Sequence, residues 1–366
     1  MVNHLGNWKN GELGDFVTLK RGFDLPRQKR EAGQVPIFSS SGITGTHSTA
    51  MVKAPGVITG RYGTIGEVFY AAEDFWPLNT TLFAEDFHGN DAKFIYYFLK
   101  TLEWSKFTSA SAVPGINRNT VHKESVSLPD IETQRKIAST LSMFDEKIKI
   151  NTEINDNLQQ QAAALFSGLY ARTNTEVRFT DLIQILGGGT PKTGENTFWN
   201  GNIAFFTPKD VGTPYTLITE KTITEDGLSH CNSRLYPVNT VFVTARGTVG
   251  KVGMSSVPMA MNQSCYALVG KETHQLLVYF YTLKTVDRLK HKASGAVFDA
   301  ITTRDFESEQ IMKLSDEDAK SFLCIAEPMF QKVLNNSIEN QRLSTLRDSL
   351  LPKLMSGEID VSAVQL

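Results

Sequence analysis

Arg61-Tyr62-Gly63-Thr64-Ile65-Gly66-Glu67-Val68 recurs further along the chain as Arg246-Gly247-Thr248-Val249-Gly250-Lys251-Val252, with Gly63 matching Gly247. The offset of about 185 residues persists downstream, where Ile116 falls on Ile301 and Leu158 on Leu343. Solenoid units run about 20–50 residues, so a period this long marks a duplicated domain. Each copy ends in a long, polar-studded helical stretch. Two similar units on one chain are suited to reading two similar targets, or two different ones once their loops diverge.

Length and composition frame the duplication. At 366 residues the chain is expected to form two or three domains, each able to bury its own core. Hydrophobic residues at 41% and charged residues at 21% are ordinary for a globular protein. Cys231, Cys265 and Cys324 are scattered thiols without CxxC spacing, which argues against a disulfide framework and a zinc site and fits a reducing cytoplasm. The first residues lack the apolar core of a signal peptide, and no run approaches membrane-spanning length. The net charge is −2, whereas a protein that grips a duplex unaided is usually basic. If nucleic acid is the ligand, the basic residues must be concentrated locally or a partner must supply much of the phosphate grip.

Four segments follow from the pattern. Residues 1–128 read as a β-rich domain, with short strands at Val35–Phe38, Gly56–Thr59 and Val68–Tyr70 and a helix over Lys93–Trp104. Residues 129–172 form the first long helix. Residues 176–313 repeat the domain, with strands near Ile203–Phe206 and Thr240–Val243, a helix near Gln275–Leu289, and inserted material between Phe198 and Tyr236. Residues 314–359 form the second long helix. Insertions of this kind lie in surface loops, where specificity changes without disturbing a core.

Alternating steps of four and three along the first helix pass through Ile137, Leu141, Phe144, Ile148, Asn151, Asn155, Leu158, Ala162, Leu165 and Leu169. The second helix gives Phe322, Ala326, Met329, Val333, Asn336, Asn340, Leu343, Arg347, Leu350 and Leu354 at the matching offset. That stepping is the seam of a coiled coil. Asn151 and Asn155 interrupt one seam where Asn336 and Asn340 interrupt the other, and seam Asn fixes register at a cost in stability. Because the first helix delivers the second domain and the second helix leaves it, paired helices would run antiparallel with their Asn positions meeting. Each would span about 60 Å at 1.5 Å per residue. Apolar residues off the seam, namely Ile150, Ile154 and Phe166 on the first helix and Ile338, Leu346 and Leu351 on the second, are available to a partner helix. The expected fold class is α+β: two β-rich domains of similar fold joined by two long antiparallel coiled-coil helices in a pseudo-twofold arrangement.

Motifs of catalysis are missing. There is no GxxxxGK[ST] loop and no HExxH, and Gly187-Gly188-Gly189-Thr190-Pro191 departs from GxGxxG. Pro129-Asp130 opens a helix, where Asp serves as a cap, instead of a nuclease motif. No Asn/Asp-Pro-Pro-Tyr/Phe tetrapeptide of an amino-methyltransferase occurs. What remains is a set of polar and basic loops at matched places. In the first copy the candidate DNA contacts are Arg27, Lys29, Arg30, Ser39, Ser40, Ser41, Thr44, Arg61, Tyr62, Asn117 and Arg118. In the second they are Lys192, Thr193, Lys209, Arg246, Lys290, His291, Lys292, Thr303 and Arg304. Arg contacts guanine bidentately, Asn contacts adenine, and hydroxyls and backbone N–H groups contact phosphate.

These pieces, in this order and twice over, resemble the specificity subunit of type I restriction–modification systems across nearly the whole chain. The resemblance rests on Pro36-Ile37-Phe38-Ser39-Ser40-Ser41-Gly42-Ile43-Thr44-Gly45, the Gly60–Gly66 turn, Trp76-Pro77-Leu78-Asn79-Thr80-Thr81-Leu82-Phe83 and the helix opening Leu128–Gln134. In the second copy it rests on Gly188-Gly189-Thr190-Pro191, Arg246-Gly247-Thr248-Val249-Gly250 and the ending Leu346–Ile359. Ser315-Asp316-Glu317-Asp318 departs from the family's Leu-Pro-rich opening of the second helix. The resemblance implies two target-recognition domains, helical spacers and a non-catalytic subunit that docks two modification subunits binding S-adenosylmethionine. Restriction subunits that use ATP and Mg would join them. The alternatives are the specificity partner of another bipartite methyltransferase-nuclease, and a duplicated-domain enzyme or carbohydrate-binding protein.

Overall fold

The computed structural model describes residues 8–108, 114–212, 214–292 and 300–361. Two compact units emerge, one of residues 1–147 with 342–366 and the other of residues 148–341.

In the first unit, β1 (Lys9–Glu12) leads through β2 (Thr18–Arg21) to the hairpin β3 (Val35–Ser39) and β4 (Gly42–His47). Then come β5 (Gly56–Gly60), β6 (Val68–Ala71), β7 (Trp76–Pro77), β8 (Thr81–Asp86), α1 (Ala92–Thr101), the short α2 (Arg118–His122) and β9 (Ser125–Leu128). Three sheets result, ordered β2-β8-β5-β6, β4-β3-β7 and β1-β9. The helix expected to reach Trp104 stops at Thr101, and Trp104–Phe107 turns as a 3-10 helix. Trp104 is buried there with its indole N–H donating to Leu99 O over 2.9 Å, so packing ends the helix early.

The long helix α3 (Ile131–Tyr170) follows, and then the second copy. It comprises β10 (Glu176–Arg178), α4 (Phe179–Leu182), β11 (Ile183–Gly187), β12 (Trp199–Phe206), β13 (Tyr215–Thr216), β14 (Lys221–Ile223), α5 (Glu225–Ser229), β15 (Val241–Thr244) and β16 (Val252–Ser255). It closes with β17 (Met259–Met261), β18 (Cys265–Gly270), α6 (Gln275–Lys292), α7 (Thr303–Glu307), β19 (Gln310–Met312) and the second long helix α8 (Asp316–Met355). The sheets, β11-β18-β15-β16-β13, β14-β12-β17 and β10-β19, match those of the first copy strand for strand, apart from the added β13. Even the registers agree. Val57 pairs with Tyr70 as Val241 pairs with Met254, and Ile58 with Phe83 as Phe242 with Ala267.

Both long helices are well capped, by different residues. Asp130 Oδ1 accepts from Thr133 N at 2.9 Å, and Ser315 Oγ accepts from Asp318 N at 3.1 Å. Asp316, Glu317 and Asp318 place negative charge in the first turn of α8, where the helix dipole favours it. The departure from a Leu-Pro opening thus still supplies α8 with a cap and a favourably charged first turn.

Within each unit α3 and α8 pack antiparallel. In the second unit, Asn151 Nδ2 donates to Asn340 Oδ1 and Asn336 Nδ2 to Asn155 Oδ1, each at 2.9 Å. Asn340 Nδ2 reaches Thr152 Oγ1 at 3.3 Å, and Asn155 Nδ2 reaches Ser337 Oγ at 3.2 Å. In the first unit Arg347 forms an ion pair with Asp145, which also accepts from the Tyr97 hydroxyl. The flanks of the helices also enter the domain cores. Ile137, Leu141, Leu351 and Leu354 join the first core, and Ala162, Phe166, Leu169, Phe322 and Phe330 join the second.

That participation corrects two expectations. Phe166 is 1% exposed, with its ring 5.0 Å from Phe280 and 5.4 Å from Phe322, and Leu351 is buried in the first core. Neither is available to a partner helix, because domain packing adds a third body beside the seam. Ile150, Ile154 and Leu346 are exposed and Ile338 is half-buried. Among the described residues, no helix is long and apolar enough to cross a membrane.

Candidate nucleic-acid interface

The repeated turn sits at the end of a central strand in each copy. After β5 the chain makes Arg61 and Tyr62 donate their N–H groups to Thr80 O, at 2.8 and 3.2 Å. Tyr62 then bridges to Gly115, and Ile116 N donates back to Arg61 O at 3.0 Å. Gly63 takes a φ of +78°, a left-handed conformation natural to glycine. After β15 the same frame recurs. Ala245 N and Arg246 N donate to Ser264 O, Arg246 bridges to Ala300, Ile301 N donates to Ala245 O at 2.9 Å, and Gly247 has a φ of +81°.

In the first copy this frame holds a basic cradle of about 470 Å³, lined by Arg21, Arg61, Tyr62, Asn117, Arg118 and Asn119. The Arg61 guanidinium lies 4.6 Å from the centre of the Tyr62 ring, and its Nε donates to Ile116 O at 3.4 Å. Stacking and this bond hold the side chain, and among the described residues nothing bonds its two terminal amino groups, as bidentate recognition requires. Asn117 caps α2 by accepting from Asn119 N at 3.0 Å, which leaves its amide N–H groups available. His122, at the other end of α2, accepts from Leu19 N at 2.9 Å and so ties the cradle helix to β2, which carries Arg21. Burial, with Arg118 and His88 nearby, holds the His122 pKa below its usual value. Ser40 lies beside Gly63, which brings the Ser39–Ser41 turn to the same loop. There Ser39 Oγ donates to Gly42 O at 3.0 Å and sits 3.1 Å from Ser41 Oγ. Arg21 was not among the expected contacts. Only the pairing of Arg21 with Leu82 across two strands distant in sequence places it here.

The second copy dresses the frame differently. By backbone equivalence Ala245 stands at Arg61, Arg246 at Tyr62, Thr302 at Asn117, Thr303 at Arg118, Arg304 at Asn119, and Gly187 at Arg21. Thr302 caps α7 through a box with Asp305, leaving Thr303 and Arg304 exposed in the first turn. Basic groups have therefore moved to neighbouring positions on an unchanged backbone. Lys290 packs beside Gly250 of the repeated turn and is exposed.

The remaining candidates are more dispersed. Arg27 and Lys29 are exposed on a 3-10 turn, Arg30 donates to Thr44 O at 3.3 Å, and Thr44 is exposed on β4. Lys192 and Thr193 are exposed in a turn, and Lys209 pairs with Glu220 at 3.6 Å. His291 lies 3.7 Å from Asp287. Lys292 departs from expectation. Its ammonium is ion-paired with the fully buried Glu309, which also faces Arg288 Nε at 3.5 Å. Its charge is spent internally, because a buried carboxylate without a partner would be far more costly than a surface lysine without one.

Comparison with known proteins agrees with this architecture. The family described as the type I restriction modification DNA specificity domain matches the chain twice, over residues 6–160 and 172–320. The type I restriction enzyme HindI specificity subunit of Haemophilus influenzae is 25% identical over 345 residues, covering 71% of this chain and 75% of that protein. The EcoR124I/EcoR124II specificity subunit of Escherichia coli is 28% identical over 224 residues, covering 56% of this chain and 55% of that protein. The crystal structure of a type I restriction–modification S subunit from M. genitalium shares the fold, with a TM-score of 0.66 at 18% identity over 97% of each chain. With its duplicated domain and paired helices, the chain belongs to the family of DNA specificity subunits of type I restriction–modification systems.

Proposed function

We propose that the cradle around Arg61 reads one half of a split DNA target, that the loop set around Arg246 reads the other, and that the α3–α8 pair sets the unread gap. The observation that carries this is one backbone frame presented twice with different side chains. A shared frame positions both loops alike against a duplex, while Arg61–Tyr62 and Ala245–Arg246 offer different donors to base edges. Two different half-sites make an asymmetric target.

The subunit directs chemistry done elsewhere. Two modification subunits carrying S-adenosylmethionine dock on it, and restriction subunits using ATP and Mg²⁺ join them in the cytoplasm. The net charge of −2 supports this reading, because partners that embrace the duplex supply the phosphate contacts that a near-neutral chain does not. Size-exclusion chromatography with light scattering, combined with a methyl-transfer assay on random-sequence duplexes, tests it. The chain alone should bind DNA weakly and transfer no methyl group. Addition of the modification subunit should bring a stable complex, tight sequence-specific binding and adenine methylation. Methyl transfer by the chain alone would overturn the assignment.

A further inference from the structure

The two copies differ at one sheet edge. In the second, β13 from the inserted segment lies parallel to β16, pairing Tyr215 with Met254 and Thr216 with Ser255. Met254 N donates to Pro214 O at 2.7 Å and Ser256 N to Thr216 O at 3.1 Å. The Tyr215 ring enters a groove between α6 and α8, 6.4 Å from the Phe330 ring, and Phe330 in turn packs 5.7 Å from Tyr279. Burial there pushes the Tyr215 hydroxyl up to about 12. All four residues of β16 are buried.

In the first copy the equivalent strand is β6, and among the described residues nothing pairs with its outer edge. Phe69 and Tyr70 are half-exposed. Tyr70 stands at the position of Met254, Tyr96 at that of Tyr279 and Asp145 at that of Phe330. Together with Phe69, Lys93 and Ile43 these residues line an open groove of about 510 Å³, and Ile43 at its mouth is 64% exposed. A short, apolar, unpaired edge beside a groove with an apolar floor and Lys93, Asp145 and Glu146 on its walls is a template for strand addition.

From this internal comparison we infer that β6 of the first domain is a docking edge for an extended polypeptide segment of a partner protein, with an aromatic side chain of that segment seated against the Tyr70–Tyr96 pair, whose rings pack edge-to-face 5.9 Å apart. The second domain's own insertion shows what covers this edge. The incoming strand takes the place of residues 214–216, and its carbonyls accept from Tyr70 N and Ala72 N, the counterparts of Met254 N and Ser256 N. Its path differs upstream. Gly212 O crosses so close to Gly253 that a Cβ there would lie 2.6 Å away, whereas the first domain has Phe69 at that position. The partner segment therefore bends away before Phe69. This surface lies outside the proposed DNA contacts and does not depend on them.

The test uses the full chain and a fluorescein-labelled peptide with the sequence of residues 214–219, Pro-Tyr-Thr-Leu-Ile-Thr, followed by fluorescence anisotropy. Saturable binding is expected. It should weaken at least about tenfold when the peptide's Tyr is replaced by Ala, and likewise for the chain variants Ile43→Asp and Ala72→Pro. Both variant positions are exposed, and unchanged thermal melting would confirm that the variants fold. No saturable binding up to millimolar peptide, or binding indifferent to all three changes, overturns the inference. Displacement of the peptide by duplex DNA also overturns it, since the groove would then belong to the nucleic-acid interface.

Discussion

Asn336 donates its side-chain amide to Asn155 Oδ1 across 2.9 Å, with both residues nearly inaccessible to water. A buried amide pair of this kind contributes little net stability but penalises every register in which either amide is orphaned. Asn336→Leu alone should cost about 1–3 kcal/mol, because Asn155 keeps a buried carbonyl oxygen without that donor. Asn155→Leu combined with Asn336→Leu should recover most of the loss, with a coupling of about 0.5–3 kcal/mol. Chemical denaturation of the four proteins of the cycle measures this. Additive losses would show that the pair is not a unit.

The spacer reading predicts a change in target geometry. Removing four residues from α3 and four from α8 shortens each helix by about 6 Å. The preferred gap between half-sites should shrink by about two base pairs while the half-sites stay the same, since one duplex turn of about 10 base pairs spans about 34–36 Å. Methylation of duplex libraries with the modification subunit present reads both quantities. Altered half-sites at an unchanged gap would contradict the assignment of the gap to the helices.

Arg61 and Arg246 should act on different half-sites. Arg61→Ala is expected to cost about 1–3 kcal/mol and relax preference at one base pair of one half, and Arg246→Ala should do so in the other. Lys290→Ala should instead weaken all sequences alike and lower the salt slope by about one. Binding to single-substituted duplexes over a range of salt, with the modification subunit bound, separates these effects.

His122 gives the first cradle a pH dependence. Its pKa is lowered on folding, chiefly by burial, so the native state holds the neutral ring, which accepts from Leu19 N. Below the ordinary histidine value of about 6.5 the unfolded chain takes up a proton that the native state resists. This contribution to stability is therefore complete above about 6.5 and is lost as pH falls toward the lowered native pKa. Unfolding midpoints between about pH 7 and pH 5 should fall more steeply for the wild type than for His122→Gln. Affinity for the half-site read by Arg61 should change only below the lowered native value, once the folded ring itself takes up a proton and can no longer accept from Leu19 N.

What the sequence made legible was periodic or repeated. The seam asparagines stand out because they interrupt both apolar stripes at matched places, and the turn before Gly63 and Gly247 because it occurs twice. Contacts set by a third body were hidden. Heptad stepping placed Phe166 beside the seam but carried no sign that α6 would cover it. Arg21 enters the cradle through strand pairing across some sixty residues, and no local pattern encodes that. The strand Tyr215–Thr216 is too short for alternation to reveal, so the insertion looked like loop.

The Lys292–Glu309 pair separates a structural cation from a DNA-binding one. Glu309 is fully buried beside Arg288 and Lys292, so Glu309→Ala should free Lys292 and weaken the anchor between α6 and β19, where Arg288 Nη1 still donates to Gln310 O at 2.6 Å. Stranding a buried charge costs about 3–5 kcal/mol, and Glu309→Ala should cost less than that because the cations left behind keep access to water. Lys292→Ala should cost less than Glu309→Ala, since Arg288 remains near the carboxylate, and should leave the salt slope of DNA binding unchanged. Lys290→Ala, two residues away, should have the reverse profile, with stability near wild type and a reduced slope. Thermal melts paired with salt titrations distinguish the two lysines. A reduced slope for Lys292→Ala would return that residue to the DNA-contacting set.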